Sequence, residues 1–281
     1  MTFMPFGISL GIIAVLGILV GSFLNVVIVR LPLILFRQWQ ADCASLQTPP
    51  APPFNLIVPR SHCPQCKHPL SAFENIPIIS FLILKARCAH CQHPISWRYM
   101  TIEILTGVIS LIMAMHFGFT LSLVYALLFA WGLIALAGID LDHKILPDDI
   151  TLPLLWLGLL ANINPHFVPL PQAVLGAVAG YLFLWGVFWL FKFITGKEGL
   201  GQGDFKLLAL LGAWCGCFAL PAIILIASLL GSIVGLSLIA TKQITRSQAI
   251  PFGPFLAFAG WITLLWGDRI NGVYLRFMGL T

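Results

Sequence analysis

Charge is what this sequence has least of. Only 9% of its 281 residues are Asp, Glu, Lys or Arg, and only 10 are acidic. A soluble domain carries about 25% charged residues, so the composition excludes an ordinary globular protein in water. The first apolar run lacks a basic start and is too long for a cleavable signal peptide, so it is expected to persist as a helix. No internal repeat of solenoid period occurs. A glycine-rich strand–turn–helix fingerprint of a nucleotide-binding fold is also missing. The net charge of +5 reads as a signal of membrane orientation and not as a nucleic-acid surface.

What the sequence has in abundance is apolar length. The hydrophobic fraction is 59%, and uncharged runs cover residues 1–29, 104–139, 150–191, 207–241 and 247–267. A crossing helix needs about 20 apolar residues. The outer two runs hold one helix each, whereas the middle three, 36, 42 and 35 residues long, each hold a hairpin of two. Their tips fall at His116-Phe117-Gly118, at Asn162 to Pro171, and at Phe218-Ala219-Leu220-Pro221. The expected fold is therefore an all-α polytopic membrane protein with about eight transmembrane helices, since lipid satisfies no open backbone group. Eight crossings place both termini on one side. The loops on the other side carry 13 of the 15 Lys and Arg residues, leaving only Arg269 and Arg276. The excess of basic residues makes the loop side cytoplasmic.

One polar segment, Arg30 to Glu103, interrupts this pattern. It divides the chain into a first transmembrane helix (1–30), a cytoplasmic loop domain (31–100) and a membrane core with about seven further helices (101–281). Pro49-Pro50-Ala51-Pro52-Pro53 marks an extended connection. Cys63-Pro64-Gln65-Cys66 and Cys88-Ala89-His90-Cys91 follow, with 21 residues between the pairs, one more than the usual zinc-ribbon spacing. Each short turn aims two sulfurs at one point, and four close a tetrahedron around zinc. The loop has too little apolar sequence to fold alone, so a metal would supply its stability. A reducing cytoplasm argues against two disulfides. His62, His68, His90 and His93 lie close enough in sequence to compete as ligands. Cys43, Cys215 and Cys217 have no partner pattern and are expected to be packing residues.

The acids stand out because they are rare. Asp140, in Gly138-Ile139-Asp140-Leu141-Asp142-His143, ends one apolar run, and Asp204, in Gly201-Gln202-Gly203-Asp204, precedes another. An ionised carboxylate beside hydrocarbon is costly. Two brought together can share one proton and activate water for peptide cleavage. The glycines before Asp204 let the backbone leave helical geometry and let another chain approach closely. Local alternatives remain. Asp204 can cap the helix it begins, and Asp140 can pair with Lys144 one turn on. Asp142 would point elsewhere on a helix, Asp148 and Asp149 have the pattern of helix N-caps, and Lys206 either tunes Asp204 or anchors the interface.

Taken together, several stretches resemble the bacterial type IV prepilin leader peptidases. They are Gly21-Ser22-Phe23-Leu24-Asn25 with Arg30-Leu31-Pro32, the paired CxxC loop, Glu74-Asn75-Ile76-Pro77, and Arg98-Tyr99 before Glu103. Later come Asp140-Leu141-Asp142-His143, Leu146-Pro147-Asp148, Gly196-Lys197-Glu198-Gly199, Gly201-Gln202-Gly203-Asp204-Phe205-Lys206 and Pro251-Phe252-Gly253-Pro254. The resemblance implies that Asp140 and Asp204 are the catalytic pair and that Asp142 and Asp148 are neighbours of the site. It implies an aspartyl endopeptidase of the inner membrane. The enzyme would remove the leader of prepilins and pseudopilins after a glycine, at the cytoplasmic face. It further implies S-adenosylmethionine-dependent methylation of the new N-terminus. Glu74, Asn75 and Lys85 are polar candidates for that cofactor in the loop, with anchoring of the loop as their other reading.

Other classes make different demands. A peptidase without methyl transfer would leave the new N-terminus unmodified. A transporter would put charge at mid-depth. A non-enzymatic assembly protein would not need the two acids.

Overall fold

The computed structural model describes residues 6–43, 54–63, 65–71, 73–197, 199, 201–243, 245 and 250–277. The proline-rich segment 49–53 and Glu198 lie outside the described residues. Among those described, all regular structure is helical: α1 (Phe6–Cys43), α2 (Ile79–Ile83), α3 (Trp97–Phe117), α4 (Leu121–His143), α5 (Asp148–Ala161), α6 (Leu170–Thr195), α7 (Gln202–Cys215), α8 (Leu220–Ala240) and α9 (Gly253–Phe277). The expected all-α membrane architecture is observed. Five helices (α1, α3, α4, α6 and α8) are long and apolar enough to cross a membrane. In α9 the apolar part is Gly253–Gly267. Helices α5 and α7 have 14 residues each, about 21 Å at 1.5 Å per residue. The three expected tips are real turns. Gly118 ends α3 at φ 60°, the Asn162 turn separates α5 from α6, and a short 3₁₀ turn, Cys217–Ala219, precedes α8.

The chain forms two compact units that meet in sequence between Gly118 and Phe119. In the first, α1 packs on α3 through small residues. A Cβ at Gly21 would lie 2.8 Å from Glu103 Cα, and one at Gly17 would lie 3.0 Å from Gly107 Cα. Gly17 and Gly21 are four apart, the spacing that lets membrane helices touch backbone to backbone. The hydroxyls of Thr106 and Ser110 at this seam donate to carbonyls one turn back, at 2.7 Å each, and so remain satisfied away from water.

Helix α1 continues past residue 30, through Pro32, to Cys43. Its 38 residues span about 57 Å, well beyond one hydrocarbon layer. A single proline removes one ladder bond, which the helix formers on both sides of it outweigh. Arg30 donates to the carbonyls of Asn55 and Leu56, and the Arg37 guanidinium lies 4.1 Å from the Phe54 ring centre.

The second unit is built around α7, which is buried from Asp204 to Trp214 except at Lys206. A helix apolar on every side belongs in a protein interior. Gly176 and Gly180 of α6 lie against Gly212 and the Leu208 carbonyl of α7, so close that a Cβ at either Gly176 or Gly212 would meet backbone. On α5, Gly158 makes room for the Trp214 ring, whose Nε1 donates to Leu154 O at 2.9 Å. Asn162 is fully buried. Its Nδ2 donates to Ala213 O, and its Oδ1 accepts from Phe167 and Val168. The α5–α6 turn is thereby tied to the end of α7. This packing sets the depth at which α7 begins, and with it the position of Asp204.

Candidate active site and cysteine cluster

Asp140 lies in the last turn of α4. Lys144 closes that helix in left-handed backbone, φ 56°, and donates its N–H to Asp140 O. Asp204 lies in the first turn of α7, after Gly201. Both side chains are buried, at 5% and 7% relative exposure. Gly203, beside Asp204, and Gly253, bonded to Asp140, both pack against the Leu146 side chain. The fold thus brings the two sequence candidates, 64 positions apart, into one site.

The local alternatives fare differently. Gly201 occupies the N-cap of α7, and Asp204, three residues on, accepts from the Gly201 backbone N–H, so the carboxylate also serves the helix start. Asp142 is exposed. Pro147 is the N-cap of α5, which puts Asp148 and Asp149 in its first turn, where the helix dipole favours them. Asp148 accepts two bonds from Lys206 Nζ, at 2.7 and 2.8 Å. Lys206 therefore joins α7 to α5 by an ion pair at a partly exposed position and does not contact Asp204 directly.

Two residues of the site escaped the sequence reading. The Gly253 N–H, at the start of α9, donates to Asp140 Oδ2 at 2.9 Å. A Cβ there would lie 2.6 Å from that same oxygen. Leu146 is the second. Its side chain would meet a Cβ at Gly203 at 2.8 Å and one at Gly253 at 3.3 Å. It lies between the glycine before Asp204 and the glycine that holds Asp140. The available signal was Pro251-Phe252-Gly253-Pro254, a glycine fixed between prolines at a helix start. Water excluded by such apolar packing strengthens the electrostatics within.

The four candidate ligands of the loop also converge. Cys63, Cys66, Cys88 and Cys91 place their sulfurs within 4.8 Å of one another. Two of the separations are 3.7 and 4.0 Å. A zinc ion with Zn–S bonds of about 2.3 Å spaces tetrahedral sulfurs by about 3.8 Å, so the cluster can hold such a metal. The described residues of the two knuckles share a backbone pattern. Cys63 N–H donates to His68 O and Cys88 N–H to His93 O, while Lys67 and Gln92 sit in left-handed backbone at φ 61° and 58°. The Cys66 backbone N–H lowers the Cys63 thiol to about 6, whereas Cys91, despite its bond from the His93 backbone, is pushed up to about 11 by desolvation and the neighbouring thiols, so the protons of the cluster leave in widely separated steps. All four cysteines are free thiols, so the disulfide reading is not met. The histidines stand aside: His68 and His90 stack at 4.9 Å, and His62 Nδ1 contacts Arg60 O. Of the remaining cysteines, Cys215 and Cys217 are part-buried as expected, but Cys43 is exposed, because α1 carries it past the packed region.

The loop's other candidates do not assemble. Glu74 Oε2 accepts the Ser71 N–H at 2.7 Å, and Ser71 Oγ accepts the Glu74 N–H at 3.3 Å. The Ser71 N–H holds the Glu74 carboxyl below its usual range. Asn75 and Lys85 are exposed. In the same unit Glu103, which the sequence reading passed over as a site residue, is buried and accepts the Ile78 N–H at 2.8 Å. Asn25 Nδ2 donates to Tyr99 O at 3.0 Å.

Residues 15–117 match the family described as the Bacterial Peptidase A24 N-terminal domain, and residues 127–236 match the Type IV leader peptidase family. A Prepilin leader peptidase/N-methyltransferase from Stutzerimonas stutzeri is 51% identical over 95% of this chain and 93% of its own. The protein of that name from Aeromonas hydrophila is 53% identical over 92% of this chain and 91% of its own. The one from Pseudomonas aeruginosa is 51% identical over 94% and 92%. No solved structure matches.

Proposed function

Because the chain belongs to the type IV leader peptidase family, we propose that it cleaves the leaders of prepilins and pseudopilins at the Asp140–Asp204 pair and methylates the new N-terminus. It is an inner-membrane enzyme with several spanning helices. The observation that supports the catalytic assignment is a buried carboxylate at the end of α4, held by the Gly253 N–H, and another at the start of α7, with Leu146 packed against the glycine beside Asp204 and the one bonded to Asp140. Two carboxylates working on one water do not both ionise readily, so one of them would carry a proton and the other would act as base. The ionised member takes a proton from water as the water oxygen bonds to the scissile carbonyl carbon. The protonated member gives its proton to the carbonyl oxygen. Breaking the C–N bond then moves a proton to the leaving amine, and the pair returns to its starting state. The excess of basic residues in the loops supports a cytoplasmic side for this chemistry.

The cysteine cluster would hold a structural Zn²⁺, and the sulfur separations support that choice. The methyl donor implied by the relatives' second activity is S-adenosylmethionine. Glu74, Asn75 and Lys85 are the loop's candidates to contact it; Glu74 is engaged by Ser71, and the other two are exposed. No catalytic step is assigned to these three residues.

The test is mass spectrometry of a purified precursor incubated with the enzyme in lipid and S-adenosylmethionine. The product should lose its leader and gain about 14 mass units at the new N-terminus. An unmethylated product would leave a peptidase alone, and an intact precursor would overturn the proposal in favour of a non-enzymatic assembly role. Elemental analysis should find about one zinc per chain, bound as strongly as in other four-cysteine sites. The double variant Cys63→Ser, Cys66→Ser should lose that zinc, and the loop should become sensitive to protease. A zinc-free wild type with a protease-resistant loop would refute the metal assignment.

A further inference from the structure

The segment that holds Asp140 has a second face. Beside Gly253, a cavity of about 280 Å³ is lined by Ser228, Gly231 and Ser232 of α8 and by Pro251, Phe252 and Phe255. Whole small ligands occupy pockets of about 300–1,000 Å³, so this one suits one or two side chains of a longer partner. Three observations say what that partner is. First, Phe252 lines the cavity and the next residue donates to Asp140, so the cavity wall adjoins the residue that holds that acid. Second, α8 is a candidate span whose outer face is apolar and exposed, at Leu225, Leu229, Ile233 and Leu236. A ligand can therefore enter sideways from lipid. Third, Ser228 and Ser232 are exposed on that face. The hydroxyls of Thr106, Ser110, Thr151, Ser237 and Thr241 all donate to carbonyls in the preceding turn. Among the described residues no such bond involves Ser228 or Ser232. Hydroxyls facing hydrocarbon without partners are costly.

We propose that the groove between α8 and residues 250–255 receives the apolar segment of the substrate beside the scissile bond. Ser228 and Ser232 bond the backbone groups freed where that helix opens. An acyl chain fills such a groove but leaves the hydroxyls unpaired, whereas an unwound peptide satisfies them. The inference rests on the peptidase reading and names its substrate contact. Because Ser228 is exposed, a larger side chain fits there without disturbing the core.

The experiment has two arms, both in vesicles with a full-length precursor. In an Asp204→Asn background that retains precursor uncut, a photoreactive residue at position 232 should crosslink to the precursor's apolar segment. One at Leu175, exposed on α6, should not. In otherwise wild-type enzyme, Ser228→Trp should raise KM at least about tenfold with little change in kcat, and Ser228→Ala should raise KM by about threefold to tenfold, the scale of one lost hydrogen bond. Crosslinks only to lipid or to a second enzyme copy, together with an unchanged KM for Ser228→Trp, overturn the groove and leave the aspartate pair intact. Cleavage by the Asp204→Asn background enzyme itself overturns the peptidase assignment, and this inference with it.

Discussion

Asp140→Asn and Asp204→Asn should each reduce precursor cleavage by about 10³-fold or more, in line with the contribution of positioned acids and bases. Asparagine keeps the shape of the side chain but can neither take a proton from water nor pass one to the carbonyl oxygen. At position 140 its carbonyl oxygen still accepts the Gly253 N–H. The buried site then loses charge without losing its hydrogen bond, so the variants should melt at or above the wild-type temperature. This separates a catalytic defect from a folding defect. Asp142→Asn is the matched control. Asp142 is two residues along the same helix end and exposed, and its loss should alter cleavage only mildly. Wild-type rates in either dyad variant would refute the assignment. The double variant should be no slower than the worse single one, because residues that act as a unit are not additive.

Gly253→Ala should reduce cleavage by about 100-fold, the scale expected when a catalytic group is displaced by roughly 1 Å. The added Cβ would lie 2.6 Å from Asp140 Oδ2, 3.2 Å from its Cγ and 3.3 Å from Leu146 Cδ2. The leucine can rotate away, but the carboxylate cannot move without losing the bond that holds it. A Cβ before Pro254 is also mildly disfavoured in helical backbone, so the melting temperature should fall slightly while the kcat falls by the larger factor. Gly186→Ala is the control, because a Cβ there meets nothing within 4 Å. Normal cleavage by Gly253→Ala would mean that the Gly253–Asp140 contact does not serve the reaction.

These two predictions differ in how they could have been reached. The aspartates were visible as rare charges at the ends of apolar runs, and the family resemblance chose Asp140 over Asp142. The contribution of Gly253 was not visible, because it is a backbone N–H 113 positions from its acceptor. Nor did the sequence show that Lys206 would bond Asp148 and not act on Asp204. Charge patterns report which residues are ionic, and only packing of α7 on α5 selects the pair. The same holds for α1. Composition placed a loop after residue 30, but helix propensity carries the helix to Cys43.

From the sequence alone came the helical class, the hairpin turns and the four-cysteine cluster. All three are written in local spacing: apolar run length, turn residues, and two CxxC motifs whose short turns each aim sulfurs at one point. Tertiary structure decided which backbone groups meet which side chains. Leu146 between two glycines, Gly176 against Gly212 and the N–H on Asp140 all join segments far apart in the chain. Contacts of that kind depend on the close approach of whole helices, and no local pattern of residue types encodes where two helix surfaces will touch.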